Sequence, residues 1–256
     1  MNNSPIDIDK LIEGTNEILT ANRNSLQLFD MLHSMRQFDD LTYVHSVNVA
    51  LIASILGQWL KFSEKDIRIL TISGLLHDIG KIMIPNEILT KPGKLTVAEY
   101  NIIKQHVNFG YEKVKNQNID IRIKEACLLH HEKCDGTGYP FGLKSDHIPA
   151  VAKIIAIADV YDAMTSARVY RGALCPFEVI DTMYKDAFTK FEPEYILPFL
   201  KNVASSYINN DVRLSDGRIG KVVLINENAL SLPIVQCEDE FIDLSKTRGL
   251  TVSAIL

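Results

Sequence analysis

The sequence predicts a mainly α-helical body that carries a small C-terminal β annex, and three observations lead there. Apolar residues recur at helical spacing through most of the first 206 residues, and the pattern switches to alternation after Tyr207. Asp216-Gly217 then interrupts the alternating run "VRLSDGRIGKVVLI", a short-range hairpin signal. The expected organisation is a helical extension over 1–40, a main helical domain over 41–206 and a small β domain over 207–256.

Each element has its own warrant. Leu11, Ile18, Leu28, Leu32 and Met35 mark one or two amphipathic helices within 6–37. Their apolar stripe exceeds what two short helices bury against each other, so they are expected to form a homodimer or dock a partner. From Tyr43 the period runs through Val44, Val47, Leu51, Ile55 and Trp59, then Ile67, Leu70, Leu75 and Leu76. "IPNEILTKPGKLT" reads as a loop, with Thr96 capping the next helix and Glu99 completing a capping box. Further helices are expected near 97–115, 121–131, 150–166, 176–189 and 193–208. "PIVQC", "EFIDL" and "LTVSAIL" read as strands.

Composition narrows the function classes. The chain has 256 residues, 46% hydrophobic and 23% charged, which suits a soluble globular protein with a large core. A net charge of -5 argues against a general DNA or RNA binder, which carries a basic face. No apolar run approaches the roughly 20 residues of a membrane span, and the start lacks a basic signal region, so a cytoplasmic location is expected. Cys127, Cys134, Cys175 and Cys237 are scattered without C-x-x-C spacing and are read as reduced thiols.

The histidines carry the functional signal. His45, His77, His106 and the pair His130-His131 all fall at or near predicted helix ends, and Asp78 and Asp159 join them. Two adjacent imidazoles make poor core filling and good metal ligands. Neighbouring positions on a helix point about 100° apart, so His77 and Asp78 serve two neighbouring ions more readily than one. A carboxylate so placed can bridge metals about 3.5 to 4 Å apart, the spacing used for in-line attack at phosphorus. A mixed imidazole and carboxylate set favours Fe or Mn over Mg, with Zn as an alternative. His33 and His147 lack a ligand-like neighbour and are read as structural.

"HDIGK" at 77–81, "HHEKCDGTGYP" at 130–140 and "ADVYDAMTSARVYR" at 158–171 resemble, in order, the motifs of the HD-GYP family, a branch of the HD-domain metal phosphohydrolases. The resemblance covers roughly residues 41–205 and implies an HD-domain helical bundle. It implies that His45, His77, Asp78 and Asp159 are the ligands shared by HD domains. It further implies that His106, His130 and His131 complete a second site with Asp78 as the bridge. Two divalent ions are thus expected as cofactors, Fe or Mn first and Zn, Ni, Co or Mg behind them. Gly138, Tyr139 and Pro140 form the signature loop beside the substrate groove. Lys81 falls where an ammonium meets a phosphate oxygen, and Arg168 and Arg171 match positions that contact phosphates and a guanine edge.

Two departures stand out. Leu41 occupies the position at which some members carry a glutamate for a third metal, so a dinuclear site is expected. Ala167 and Val169 replace a more usual Asp and Pro, which bears on the placement of Arg168.

The activity implied is that of a phosphodiesterase opening cyclic di-GMP to pGpG, and further to GMP, by attack of a metal-bridged hydroxide with Asp78 and Lys81 in catalytic roles. A contact with a GGDEF protein is a further expectation of the resemblance. Three other readings compete: a cyclic di-GMP receptor with little turnover, a phosphodiesterase for another cyclic dinucleotide such as cyclic GMP-AMP, and an HD phosphohydrolase for other nucleotides. The last generally lacks the His130-His131 and Gly138-Tyr139-Pro140 features.

Overall fold

The structure is a computed structural model that describes residues 41–166 and 172–256, with side chains from residue 44 onward. The expected N-terminal helices, His33, Arg168 and Arg171 lie outside the described residues.

The fold class is mainly α with a C-terminal antiparallel sheet, as the sequence predicts. The first described helix, α1 (Leu41–Trp59), is buried almost all round from Val47 to Gly57, as expected of a helix at the centre of a bundle. It packs on α2 (Glu64–Leu76), and Gly74 permits the close approach, because a Cβ there would lie 2.5 Å from the Ala50 Cα. Ser63 caps α2 by accepting from the Asp66 amide. The third core helix, α7 (Ala150–Thr165), buries Ile154, Ile155, Ile157, Ala158 and Tyr161 against α1 and α2. Burying side chains of this size contributes about 1.5–3 kcal/mol each. The body can therefore tolerate a costly polar cluster at one end.

Between α2 and α7 run a 3-10 turn (Ile79–Met83), the short α3 (Asn86–Leu89), α4 (Val97–Lys104), α5 (His106–Val114) and α6 (Ile121–Leu129). The sequence suggests one helix over 97–115, but the chain breaks at Gln105, whose amide turns to the Ile102 and Ile103 carbonyls. That break points His106 inward as the first residue of α5. The loop expected before Thr96 contains α3, and Thr96 with Glu99 forms the expected capping box. Thr96→Ala is expected to lower stability by about 1 kcal/mol, read from the urea midpoint.

After α7 come α8 (Pro176–Asp186) and α9 (Pro193–Ser206), and then five strands: β1 (Asp211–Leu214), β2 (Ile219–Leu224), β3 (Ile234–Cys237), β4 (Glu240–Asp243) and β5 (Val252–Ile255). The sheet order is β4-β3-β2-β1-β5, antiparallel throughout. The β1–β2 hairpin turns at Asp216-Gly217, with Gly217 at φ 92°. Val212, Leu214, Val222 and Val235 join the same buried cluster as Phe177, Ile180 and Phe199. The annex thus extends the helical core. No helix among the described residues is long and apolar enough to cross a membrane.

Candidate metal centre

Helix ends deliver the site. His45 comes from the first turns of α1, His77 caps the C-terminus of α2, Asp78 follows it, His106 opens α5, His130 caps α6 and Asp159 lies in α7. Gly80 brings the 3-10 turn against α5, since a Cβ there would sit 1.9 Å from the His106 carbonyl oxygen. His45, His77, Asp78, His106, His130 and Asp159 are all buried, and His131 is partly so.

Asp78 divides the set. Its Oδ2 lies 3.5 Å from His45 Nε2 and 3.3 Å from His77 Nε2. Its Oδ1 lies 3.3 Å from His106 Nε2 and 3.9 Å from His130 Nε2. Asp159 Oδ1 stands 3.0 Å from His45 Nε2, and its Oδ2 3.8 Å from His131 Nδ1. Lys81 closes the group with an ion pair to Asp78 Oδ2.

The protonation pattern shows what the cluster lacks. Nδ1 of His77, His106 and His130 each faces a backbone carbonyl, of Gly74 at 2.7 Å, Ile103 at 2.7 Å and Ala126 at 2.9 Å. A carbonyl only accepts, so each Nδ1 carries a proton, and each Nε2 turns toward Asp78. Burial holds His106 below the usual imidazole range, and His130 well below it, so both stay neutral at pH 7. Their Nε2 atoms nonetheless lie 3.4 Å apart, with no hydrogen to share. Among the described residues, His77 Nε2 and Asp78 Oδ1 are buried without a hydrogen-bond partner.

Leaving one such group unpaired costs about 1–3 kcal/mol. Lone pairs aimed at one another and at a carboxylate instead suit cations placed between them. Asp78, His106, His130 and His131 offer ligand atoms within 4.8 Å of one another, as do His45, His77 and Asp78. These two groups share Asp78, and a third, His77 with His130 and Asp159, spans them, so the donor set fits two divalent ions and its imidazole content fits transition metals.

The remaining groups titrate according to their neighbours. Burial raises the Asp78 carboxyl, but Lys81, His77 and His45 outweigh it and hold it well below the usual carboxylate range. Asp159 is likewise ionised: burial opposes this, and His45 and His131 prevail. Burial lowers His45, yet Asp159, Asp162 and Asp78 together raise it to about 9. Burial takes His131 down to about 4 against the pull of Asp159.

The signature loop borders the centre. The Tyr139 ring stacks on His131 with centroids 4.7 Å apart, and Lys104 Nζ lies 6.0 Å from the Tyr139 centroid and 5.3 Å from that of Tyr100. Gly138 fits because any Cβ would meet the backbone of Glu132 and Lys133 at 2.5 Å. Pro140 follows, and Phe141 beyond it is 62% exposed, a large apolar face at the rim.

Glu132 is a residue that sequence reasoning misses. Its buried carboxylate accepts the amides of Phe141 at 2.7 Å, Gly142 at 3.1 Å and Leu143 at 2.9 Å, fixing the loop to the end of α6. Charge-assisted bonds contribute about 1.5–3 kcal/mol each. Glu132→Ala is therefore expected to speed hydrogen exchange at these three amides by at least about tenfold. Unchanged exchange would remove Glu132 from that role.

Asp162 and Asn48 are missed as well, although each lies one helical turn beyond a site residue. Asp162 Oδ2 accepts from His45 Nδ1 at 2.7 Å, and its Oδ1 accepts from Asn48 Nδ2 at 2.8 Å. His147 stays outside the centre, paired with Asp146 on the surface. The four cysteines are free thiols, and none joins a ligand group among the described residues.

Comparison with known proteins agrees with this geometry. The HD domain profile matches residues 13–195. The chain belongs to the HD-domain family. Its relatives place it in the HD-GYP branch. It is 36% identical over 203 residues to the cyclic di-GMP phosphodiesterase PA4108 of Pseudomonas aeruginosa, covering 79% of this chain and 49% of that one. It is 35% identical to the cyclic di-GMP phosphodiesterase response regulator RpfG of Xanthomonas campestris pv. campestris, covering 76% and 52%. It is also 37% identical to the 3'3'-cGAMP-specific phosphodiesterase 1 of Vibrio cholerae, covering 66% and 38%. The chain thus spans about half the length, or less, of the curated relatives it matches. Bd1817, an HDG"Y"P protein from Bdellovibrio bacteriovorus, shares the fold with a TM-score of 0.59 at 21% identity, covering 75% of this chain and 60% of that one.

Proposed function

We propose that this HD-GYP protein is a metal-dependent phosphodiesterase that hydrolyses cyclic di-GMP to pGpG and on to GMP. The observation that carries the reading is the split of the histidines between the two oxygens of Asp78. The names of the relatives supply the substrate class.

Two divalent ions held by these residues would supply a water ionised near neutral pH and positive charge beside the phosphoryl oxygens. The chain's own residues do the rest. His45, His77 and Asp159 hold one side of the centre, His106, His130 and His131 the other, and Asp78 serves both. Lys81 sets an ammonium at the mouth, where it meets a phosphate oxygen as a point charge. Tyr139, held by His131 and by the Glu132-anchored loop, offers a flat ring for a base. Arg168 and Arg171 bind phosphates and the guanine edge, and Gly138 and Pro140 shape the loop. Fe and Mn are the metals best suited to this donor set.

The test is turnover of cyclic di-GMP by anaerobically purified, Mn- or Fe-loaded protein, with products separated by chromatography. Formation of pGpG or GMP supports the reading. Tight binding without product would instead make the protein a receptor. Because relatives specific for 3'3'-cGAMP reach comparable identity over a shorter stretch, the same assay includes that dinucleotide. Faster turnover of it would replace the substrate named here.

A further inference from the structure

His45 is gripped from both sides. Asp159 Oδ1 stands 3.0 Å from its Nε2, and Asp162 Oδ2 accepts from its Nδ1 at 2.7 Å. Asp159 and Asp162 lie three residues apart in α7, one turn, so both carboxylates point toward α1. Asp162 is only 1% exposed and is itself held at three points. Besides His45, it takes Asn48 Nδ2 at 2.8 Å from α1 and Ser166 Oγ at 3.0 Å from the C-terminal end of α7. His77, His106 and His130 are oriented by backbone carbonyls of their own helices. Among these four histidines, His45 depends on a side chain from another helix.

We infer that Asp162 is the positioning residue of the first ion: it holds a proton of His45 on Nδ1, aims Nε2 at the centre, and thereby sets the affinity of the half that His45 and His77 form. Asn48 and Ser166 keep that carboxylate from turning away. The inference rests on the two-ion reading above. A carboxylate that merely tied α1 to α7 would lower stability when removed and leave the two ions equally affected. A positioning carboxylate affects one ion. Removing such a partner of a metal-bound histidine typically weakens the metal by roughly tenfold to a hundredfold.

The experiment titrates the full chain anaerobically with Mn(II), counting free ion by electron paramagnetic resonance, for the wild type, Asp162→Asn and Asp162→Ala. Asp162→Asn keeps the shape and one acceptor oxygen, so it reports even where the alanine variant folds poorly. The wild type is expected to take two ions. Asp162→Asn is expected to weaken one of them by roughly tenfold to a hundredfold, and Asp162→Ala to lose it, with the other unchanged. Two double variants assign the lost ion. Adding His45→Ala to Asp162→Ala is expected to cost no further ion, whereas adding His106→Ala removes the remaining one.

Nitrogen-15 spectra of the Zn(II)-loaded wild type give a readout that needs no variant. They are expected to show His45 protonated at Nδ1 and metal-bound at Nε2. Two ions at wild-type affinity in both Asp162 variants, equal weakening of both ions, or metal on Nδ1 would overturn the inference alone. Fewer than two ions in the wild type would overturn the two-ion reading, and this inference with it.

Discussion

Asp78→Ala is expected to abolish cyclic dinucleotide turnover, by at least about a thousandfold, and to remove both metal ions. Each of its oxygens faces a different pair of histidines, so no other side chain replaces it. A metal contributes several kcal/mol of transition-state stabilisation, and each 1.36 kcal/mol is tenfold in rate. The measurement is turnover together with thermal melting in increasing Mn(II). Ions that bind the folded chain raise its melting temperature. The wild type is expected to show that rise and the variant to lack it. A variant that still melts higher with metal would mean that Asp78 is not the shared ligand.

Gly80→Ala is expected to have the largest effect on stability of any single methyl added near the centre. The new Cβ would sit 1.9 Å from the His106 carbonyl oxygen and 2.5 Å from the Gly110 nitrogen, both backbone atoms of α5. Neither can swing aside as a side chain would. Overpacking of this kind usually costs about 1–3 kcal/mol and on occasion more, and an overlap this deep belongs at the upper end. For a chain of this size that is a fall of about 6–12 °C in melting temperature. The relief available is separation of the 3-10 turn from α5, which draws His106 away from Asp78. Gly80→Ala should therefore also weaken metal binding on the His106 side. Gly172→Ala is the control, since no atom of the described residues lies within 4 Å of its added Cβ. Equal melting temperatures for the two variants would contradict the packing argument.

The elements were legible where one interaction dominates. Val47, Leu51 and Ile55 announce α1 by spacing alone, and Thr96 with Glu99 announces the start of α4 by cap chemistry. Asp216-Gly217 fixes the hairpin because few residue pairs fit such a turn. The break at Gln105 was not legible. The apolar and polar pattern runs on through it, and the turn is decided by packing of His106 against the Gly80 segment.

That His45, His77, Asp78, His106, His130, His131 and Asp159 belong to one cluster was legible from the histidines at helix ends together with the HD-GYP motifs. The division of labour within the cluster was not. Which Asp78 oxygen each imidazole faces depends on how α1, α2, α5 and α6 converge, a three-dimensional fact that spacing does not encode. Glu132 and Asp162 escaped for a related reason. Each sits within a motif, but each acts on a backbone or ring that only the fold brings near. Lys81 was placed in the right neighbourhood, and the structure adds its pairing with Asp78.

The measurement that tests the central claim most directly is anomalous X-ray diffraction at the manganese edge from Mn-loaded crystals of the full chain. The account predicts two peaks about 3.5 to 4 Å apart. One lies between His45, His77 and Asp159, the other between His106, His130 and His131, with one oxygen of Asp78 on each. A single peak, or two peaks that Asp78 does not join, would contradict it.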